Sequence, residues 1–182
     1  FTTAATANCG GKFDQFVTGL KQDARTLGYR STLVNSFFDQ VSQDPKVLRA
    51  DRSQGVFQKD FIAFSNALIS QNRLTHAAKN AEKYALAFQK VEQKFGIPSG
   101  VLLAFWAFET DFGANQGNFN TLNSLVTLAH DCRRPELFRP QIFAALELFK
   151  RGEFDPALTQ GAWAVEIGMI QMRPNDSLES GT

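Results

Sequence analysis

Phenylalanine returns along this chain at the spacing of an α-helix, and that period constrains the fold more than any other feature. Phe13 and Phe16, then Phe57, Phe61 and Phe64, then Phe105, Phe108 and Phe112 each stand three or four positions apart. Residues so spaced share one face of a helix, whereas alternation by two, the mark of a half-buried strand, is nowhere convincing. Phenylalanine is also abundant, with 18 residues against 2 Tyr and 2 Trp, and the plain reading of such stripes is core packing.

Phe13, Phe16, Val17, Leu20, Ala24 and Leu27 make a first stripe that stops at Gly28, a residue suited to the left-handed position after a helix. Ser31 is placed to cap a second helix carrying Leu33, Val34, Phe37, Phe38 and Val41. A third segment follows Pro45, and a fourth runs from about Phe57 through Phe61, Phe64, Leu68 and Ile69. Thr75 opens a long helix with Ala78, Ala81, Ala85, Phe88 and Val91 inward, ending at Phe95-Gly96. The turn Ile97-Pro98-Ser99, with Ser99 as cap, leads into VLLAFWAFETDFG over 101–113, and further helices span Leu122 to Ala129 and Pro135 to Lys150. Connections are short and polar, and no linker separates two compositions. One all-α domain over 1–182 is expected, with residues 1–11 as a poorly structured arm.

The 19 basic and 18 acidic residues are interspersed and leave a formal charge of +1, which argues against nucleic acid or an anionic membrane as partner. No apolar run approaches the ~18 residues of a membrane span. Near the N-terminus, Ala5-Thr6-Ala7 has the small-x-small form of a signal-peptidase site. Two cysteines, Cys9 and Cys132, add weight for an oxidising compartment. Their spacing fits no metal motif. A bridge closing so long a loop is worth roughly 4 kcal/mol in the chain-entropy model, and two unrelated buried thiols are an equal alternative.

The apolar run Val101 to Phe108 leads straight into Glu109. On a helix Trp106 and Phe105 lie three and four residues before it, so both rings are expected to cover the face from which its carboxylate projects. A carboxyl group held among rings loses hydration of its charged form, which favours the acid. General-acid cleavage of a glycosidic bond needs that form. The alternative is an acid that escapes to solvent from the end of an amphipathic helix.

Three blocks, FGIPSGVLLAFWAFETDFG, TLNSLVTLAHDCRRPELFRPQIFAAL and GAWAVEIGMIQMRP, stand in the order and at nearly the spacing found in the lytic murein transglycosylase B family, which cleaves bacterial peptidoglycan. The chain resembles that family from roughly Gly10, through DPKVLRADRSQGVF, to Pro174. The resemblance implies a lysozyme-like helical catalytic domain, with 12–95 as its helical N-terminal part and 96–182 as the core carrying the Glu109 helix. It implies that Glu109, in the signature Glu-Thr-x-aromatic-Gly, is the single acid and base. The bond between N-acetylmuramic acid and N-acetylglucosamine would be cut without water, leaving a 1,6-anhydro ring. Arg133 and Arg134 match the family's paired arginines, which line the glycan groove near the peptide-bearing sugar, and guanidinium forks suit lactyl and peptide carboxylates. Gln171 matches the glutamine of a Gly-x-x-Gln-aromatic-x-Pro block, and its amide suits an N-acetyl group. Phe112 and Trp163, aromatic residues within the matched blocks, complete the implied substrate-binding set. The implied ligand is the peptidoglycan glycan strand, the implied protein partners are those of cell-wall synthesis or division, and the implied compartment is the periplasm. No metal or other cofactor is implied.

Val165 stands where the family usually has glycine, and Met172 where it has an aromatic. Asn175-Asp176-Ser177 replaces the Ser-x-Tyr that closes the block. Family members continue well past the position of Thr182, some with a calcium loop, so the expectation is a core with the C-terminal part of the family domain missing. Two other functions stay open. One is a glycan-binding protein that has lost turnover; the other is a helical interaction domain whose Phe stripes serve a protein partner.

Overall fold

The structure is a computed structural model that describes residues 9–53 and 60–180, and every structural statement concerns those residues. In chain order they form α1 (Phe13–Thr26), α2 (Ser31–Phe38), α3 (Pro45–Arg52), α4 (Phe61–Leu68), α5 (Gln71–Lys83), α6 (Ala85–Phe95) and α7 (Ser99–Thr110). The remaining elements are β1 (Phe119–Asn120), α8 (Thr121–His130), α9 (Pro135–Arg151), β2 (Gln160–Gly161) and α10 (Pro174–Ser180). The two short strands pair antiparallel, Phe119 opposite Gly161 and Asn120 opposite Gln160. Among the described residues no helix is long and apolar enough to cross a membrane.

The chain divides into two compact units. The first is Phe1–Ser53, Gly117–Ile167 and Met172–Thr182, and the second is Gln54–Gln116 and Gly168–Gln171. Each is assembled from stretches that are separate in sequence, so no linker of altered composition marks the division. The sequence reads as one domain for that reason.

The first unit has a continuous apolar core. Phe16, Leu20 and Ala24 enter from α1, Val34, Phe37 and Phe38 from α2, and Val47 from α3. Leu122, Leu125, Val126, Leu128 and Ala129 of α8 meet Phe138, Ile142, Ala145, Leu146 and Leu148 of α9. Phe37 is fully buried, edge-on to Phe38 with ring centroids 4.9 Å apart and 5.6 Å from Phe149. Burying one such side chain stabilises by about 1.5–3 kcal/mol. Asn123 and Thr127 tie the chain before α3 to α8: Ser42 N–H donates to Asn123 Oδ1 at 2.9 Å, and Asp44 N–H to Thr127 Oγ1 at 2.9 Å. A Cβ on Gly117 would lie 2.1 Å from the carbonyl oxygen of Gly161, an approach that only glycine permits.

Caps and breaks differ from the sequence expectation in several places. Ser31 and Ser99 are the first residues of their helices and make no capping hydrogen bond; Arg30 and Pro98, both extended, precede them. Asp44, Asp60, Ser70 and Asn120 are the side chains that cap. With Ser70 as cap, α5 begins before Thr75, whose hydroxyl donates back to the Gln71 carbonyl at 2.9 Å. The long helix expected through Phe95 is two helices, broken at Tyr84, where ψ reaches 19°. The expected start near Phe57 lies outside the described residues, as do residues 1–8 of the expected arm. Cys9 to Gly11 are not a loose arm: Gly10 N–H donates to the His130 carbonyl at 2.8 Å, and His130 Nε2 donates to the Gly11 carbonyl at 3.0 Å.

The second unit packs differently. In α7 only Leu103, Ala107 and Thr110 are buried, and α4, α5 and α6 bury no residue. Core packing is the correct reading for Phe16, Phe37, Phe38 and Phe138, but Phe61 is 76% exposed and Phe105 60%. Ala78 and Ala85 face solvent as well, and Ala81, Phe88 and Val91 are only half-buried.

Candidate active site

Glu109 stands one residue before the C-terminus of α7, in the second unit. The buried face of the helix is set by Leu103, Ala107 and Thr110, which follow one another at four and three residues. Phe105, Phe108 and Glu109 fall on the other side and are exposed. The expected aromatic enclosure of the carboxylate is therefore absent. The Trp106 ring is half-buried, edge-on to Tyr84 at 5.7 Å and to Phe112 at 5.5 Å.

The chain leaves α7 through three consecutive left-handed residues, Asp111 (φ 52°), Phe112 (φ 60°) and Gly113 (φ 88°). Only the glycine adopts this backbone without steric cost, and the phenylalanine is the most unusual of the three. Asp111 N–H returns to the Ala107 carbonyl at 3.0 Å and Phe112 N–H to Trp106 at 3.1 Å, closing the helix end. The Asp111 carboxylate accepts from Arg73 Nε at 2.7 Å, and Arg73 also donates to the Leu68 carbonyl at 2.9 Å. Asp111 thus serves the turn.

Thr110 is the fastener of this end. Its side chain is buried, and Oγ1 donates to the Met169 carbonyl at 2.6 Å while accepting Gly113 N–H at 2.9 Å. Met169 belongs to the short segment Gly168–Gln171, so one hydroxyl joins the residue after Glu109 to the segment that carries Gln171. Gln171 is itself left-handed (φ 51°), and its Nε2 donates to the carbonyls of Gly168 at 2.9 Å and Gln116 at 3.4 Å. Strained backbone on both sides of a fastener is characteristic of functional sites. Glu109, Phe112 and Gln171 all belong to this unit.

Arg133, Arg134 and Trp163 belong to the first unit. Both arginines donate to the carboxylate of Asp51, Arg133 from Nη1 and Arg134 from Nη2. Trp163 is half-buried against the apolar core. Cys9 and Cys132 are joined as a disulfide with Cα atoms 5.1 Å apart, immediately before the arginine pair. Opening that bond is expected to lower unfolding stability by about 2–5 kcal/mol. The check is urea unfolding with and without reductant, and coincident midpoints would contradict it.

Val165 is fully buried at φ 77°. A β-branched residue there costs about 1–3 kcal/mol of backbone strain, which explains why glycine suits this position. Its side chain joins the core of the first unit, so it does not crowd the surface.

Two residues of evident consequence escaped the sequence reading, Thr110 and Asp51. Each has a signal in the helical period. Asp51 follows Val47 by four residues and Thr110 follows Ala107 by three, so each polar side chain lies on a buried face and requires partners.

Solved structures share this fold. SltB3 from Pseudomonas aeruginosa, in complex with NAG-NAM-pentapeptide, superposes with a TM-score of 0.86 at 28% identity, over 93% of this chain and 46% of that one. The soluble lytic transglycosylase SltB1 from Pseudomonas aeruginosa matches with a TM-score of 0.83 at 23% identity, over 90% of this chain and 56% of that one. The Escherichia coli lytic transglycosylase Slt35, in complex with calcium, matches with a TM-score of 0.82 at 20% identity, over 94% of this chain and 56% of that one. The fold is the all-α, lysozyme-like one of these enzymes, and the chain spans about half their length. No curated protein matches it by sequence. Residues 12–182 match the family model of the transglycosylase SLT domain, and the chain belongs to that family.

Proposed function

We propose that this chain acts as a periplasmic lytic transglycosylase that cuts peptidoglycan between N-acetylmuramic acid and N-acetylglucosamine, with Glu109 as its acid and base. The observation that carries the reading is the end of α7. An exposed carboxyl group stands at the end of α7, two residues before a strained, hydrogen-bonded turn, and the Thr110 hydroxyl fastens that turn to the segment bearing Gln171. Membership of the transglycosylase SLT domain family and the disaccharide-pentapeptide bound by SltB3 supply the substrate class. The disulfide supports an oxidising compartment such as the periplasm.

The chemistry follows from one carboxyl group. Glu109 as the acid protonates the oxygen that links the two sugars, and the bond from that oxygen to C1 of the muramoyl residue breaks. The resulting carboxylate takes the proton of the muramoyl 6-hydroxyl, whose oxygen bonds to the same C1. The product is a 1,6-anhydro ring, Glu109 recovers its proton, and no water is consumed. A glycan strand laid over the exposed Glu109 displaces the water that would otherwise compete with the 6-hydroxyl. Asp111, two residues on, is held by Arg73, so α7 offers no second carboxylate of the kind that hydrolysing glycosidases pair with the acid. The Gln171 oxygen is the acceptor for an acetamido N–H, its nitrogen being held by backbone carbonyls.

The test is incubation with purified sacculi and mass spectrometry of the soluble products. Muropeptides ending in 1,6-anhydromuramic acid, lighter by one water than their reducing counterparts, are expected. Reducing ends would replace the mechanism with hydrolysis. Retention on sacculi with no release of products would select a glycan-binding protein instead.

A further inference from the structure

Four consecutive residues in the first unit, Asp131, Cys132, Arg133 and Arg134, are each anchored by their own side chain. Asp131 Oδ1 accepts from Arg52 Nη2 at 2.5 Å, and Cys132, itself left-handed at φ 59°, is bonded to Cys9. Arg133 Nη1 donates to both the carboxylate and the backbone carbonyl of Asp51, the latter at 2.8 Å, and Arg134 Nη2 donates to the other carboxylate oxygen. The Arg134 guanidinium also lies over the Phe138 ring, 5.1 Å from its centroid. Asp51 is 1% exposed, whereas the arginine side chains are 47% and 34% exposed. One buried carboxylate cannot occupy the five donors of each of two guanidinium groups. Both side chains keep part of their surface in solvent, although Arg134 Nε is buried, and one negative charge against two positive leaves the pair cationic.

We propose that Asp51 is a positioning residue that holds Arg133 and Arg134 as a preformed fork for a carboxylate of the stem peptide on the glycan strand. The proposal rests on the reading of peptidoglycan as substrate. An arginine free to rotate loses rotamer entropy when it binds an anion, and one already held by a buried partner loses less. Guanidinium geometry rewards a planar carboxylate over a neutral amide through paired, charge-assisted hydrogen bonds. Asp51 thereby gives up part of the pair's positive charge and in return fixes its orientation, which favours the acid form of the peptide.

The experiment measures dissociation constants of the intact chain for two soluble ligands, a disaccharide-pentapeptide with free carboxylates and the same molecule with those carboxylates amidated. The unaltered protein is expected to prefer the free acid by about tenfold, the value of one charge-assisted contact. Asp51→Asn leaves the pair more cationic but unheld; loss of the fork should reduce the preference to about twofold, and a preference that rises with the added positive charge would overturn the proposal. A purely structural role would weaken both ligands in proportion and leave the ratio intact, which would overturn the proposal. Absence of any preference in the unaltered protein would overturn it as well. If circular dichroism shows Asp51→Asn unfolded, Arg134→Lys, which keeps the charge and loses the fork, is the second variant. It should lower the preference too, and an unchanged ratio would refute the assignment. Cleavage is scored separately on sacculi: selective binding without cleavage removes the lytic reading and keeps Asp51's role, and binding of neither ligand removes both.

Discussion

Glu109→Gln is expected to leave a folded protein that still holds glycan and no longer cuts it. The amide keeps the size of the carboxyl group and much of its hydrogen bonding but has no transferable proton. Because the residue is exposed at the end of α7, stability should change by no more than about 0.5 kcal/mol, the ordinary range for surface substitutions. Cleavage should fall by at least the ~10²–10⁴ that general acid catalysis supplies, and further if the same group also takes the 6-hydroxyl proton. The measurement is the rate of anhydromuropeptide release from sacculi, alongside a urea titration and a pull-down of the variant on the same sacculi. Normal folding and binding with undiminished release would remove Glu109 from the mechanism. The exposed setting sharpens the comparison, since loss of fold cannot account for loss of rate.

Much of the first unit was legible because its helices obey the 3.6-residue period on a single buried face. Phe16, Leu20 and Ala24 are a stripe in the sequence and a wall of the core in the structure. The second unit defeated the same rule. Its apolar residues occur at helical spacing, yet α4, α5 and α6 bury none of them, so period alone did not distinguish a packed face from an exposed one. Glu109 was misjudged in the same way: Phe105 and Trp106 are near it on the helix, but which side of α7 is buried depends on Leu103 and Ala107 meeting tertiary partners. The division into two units could not be read, because Gly168–Gln171 joins residues 54–116 across a large sequence separation. The caps failed locally, as Ser31 and Ser99 stand one position inside their helices. What remained legible at the site was residue identity in short blocks, whereas partnership was not. Asp51 beneath two arginines and Thr110 beneath Met169 are facts of packing, announced only by a polar residue on an apolar face.

Thr110→Val should cost both stability and turnover, and Thr110→Ser should restore both. Valine matches threonine in shape but removes the hydroxyl that donates to the Met169 carbonyl at 2.6 Å and accepts from Gly113 N–H at 2.9 Å. Each backbone group left unpaired in the buried site costs about 1–3 kcal/mol, so a loss of roughly 2–4 kcal/mol in urea unfolding is expected. The functional consequence is separate. Asp111 and Phe112 are held in the left-handed region by this fastening, and releasing it lets the turn after Glu109 relax while uncoupling it from the segment of Gln171. A catalytic carboxyl displaced by about 1 Å loses rate on the order of 10²-fold through misorientation alone, and on the proposed roles the loss should fall on kcat more than on KM, since the Gln171 amide proposed to meet the sugar is itself unchanged. Serine keeps the hydroxyl and surrenders only a methyl, so Thr110→Ser should stay within a few fold of the unaltered rate. Steady-state release of anhydromuropeptides from solubilised glycan strands, at a temperature where all three proteins are folded, decides the matter. A valine variant that is destabilised yet retains full kcat would make Thr110 a structural fastener with no part in aligning Glu109.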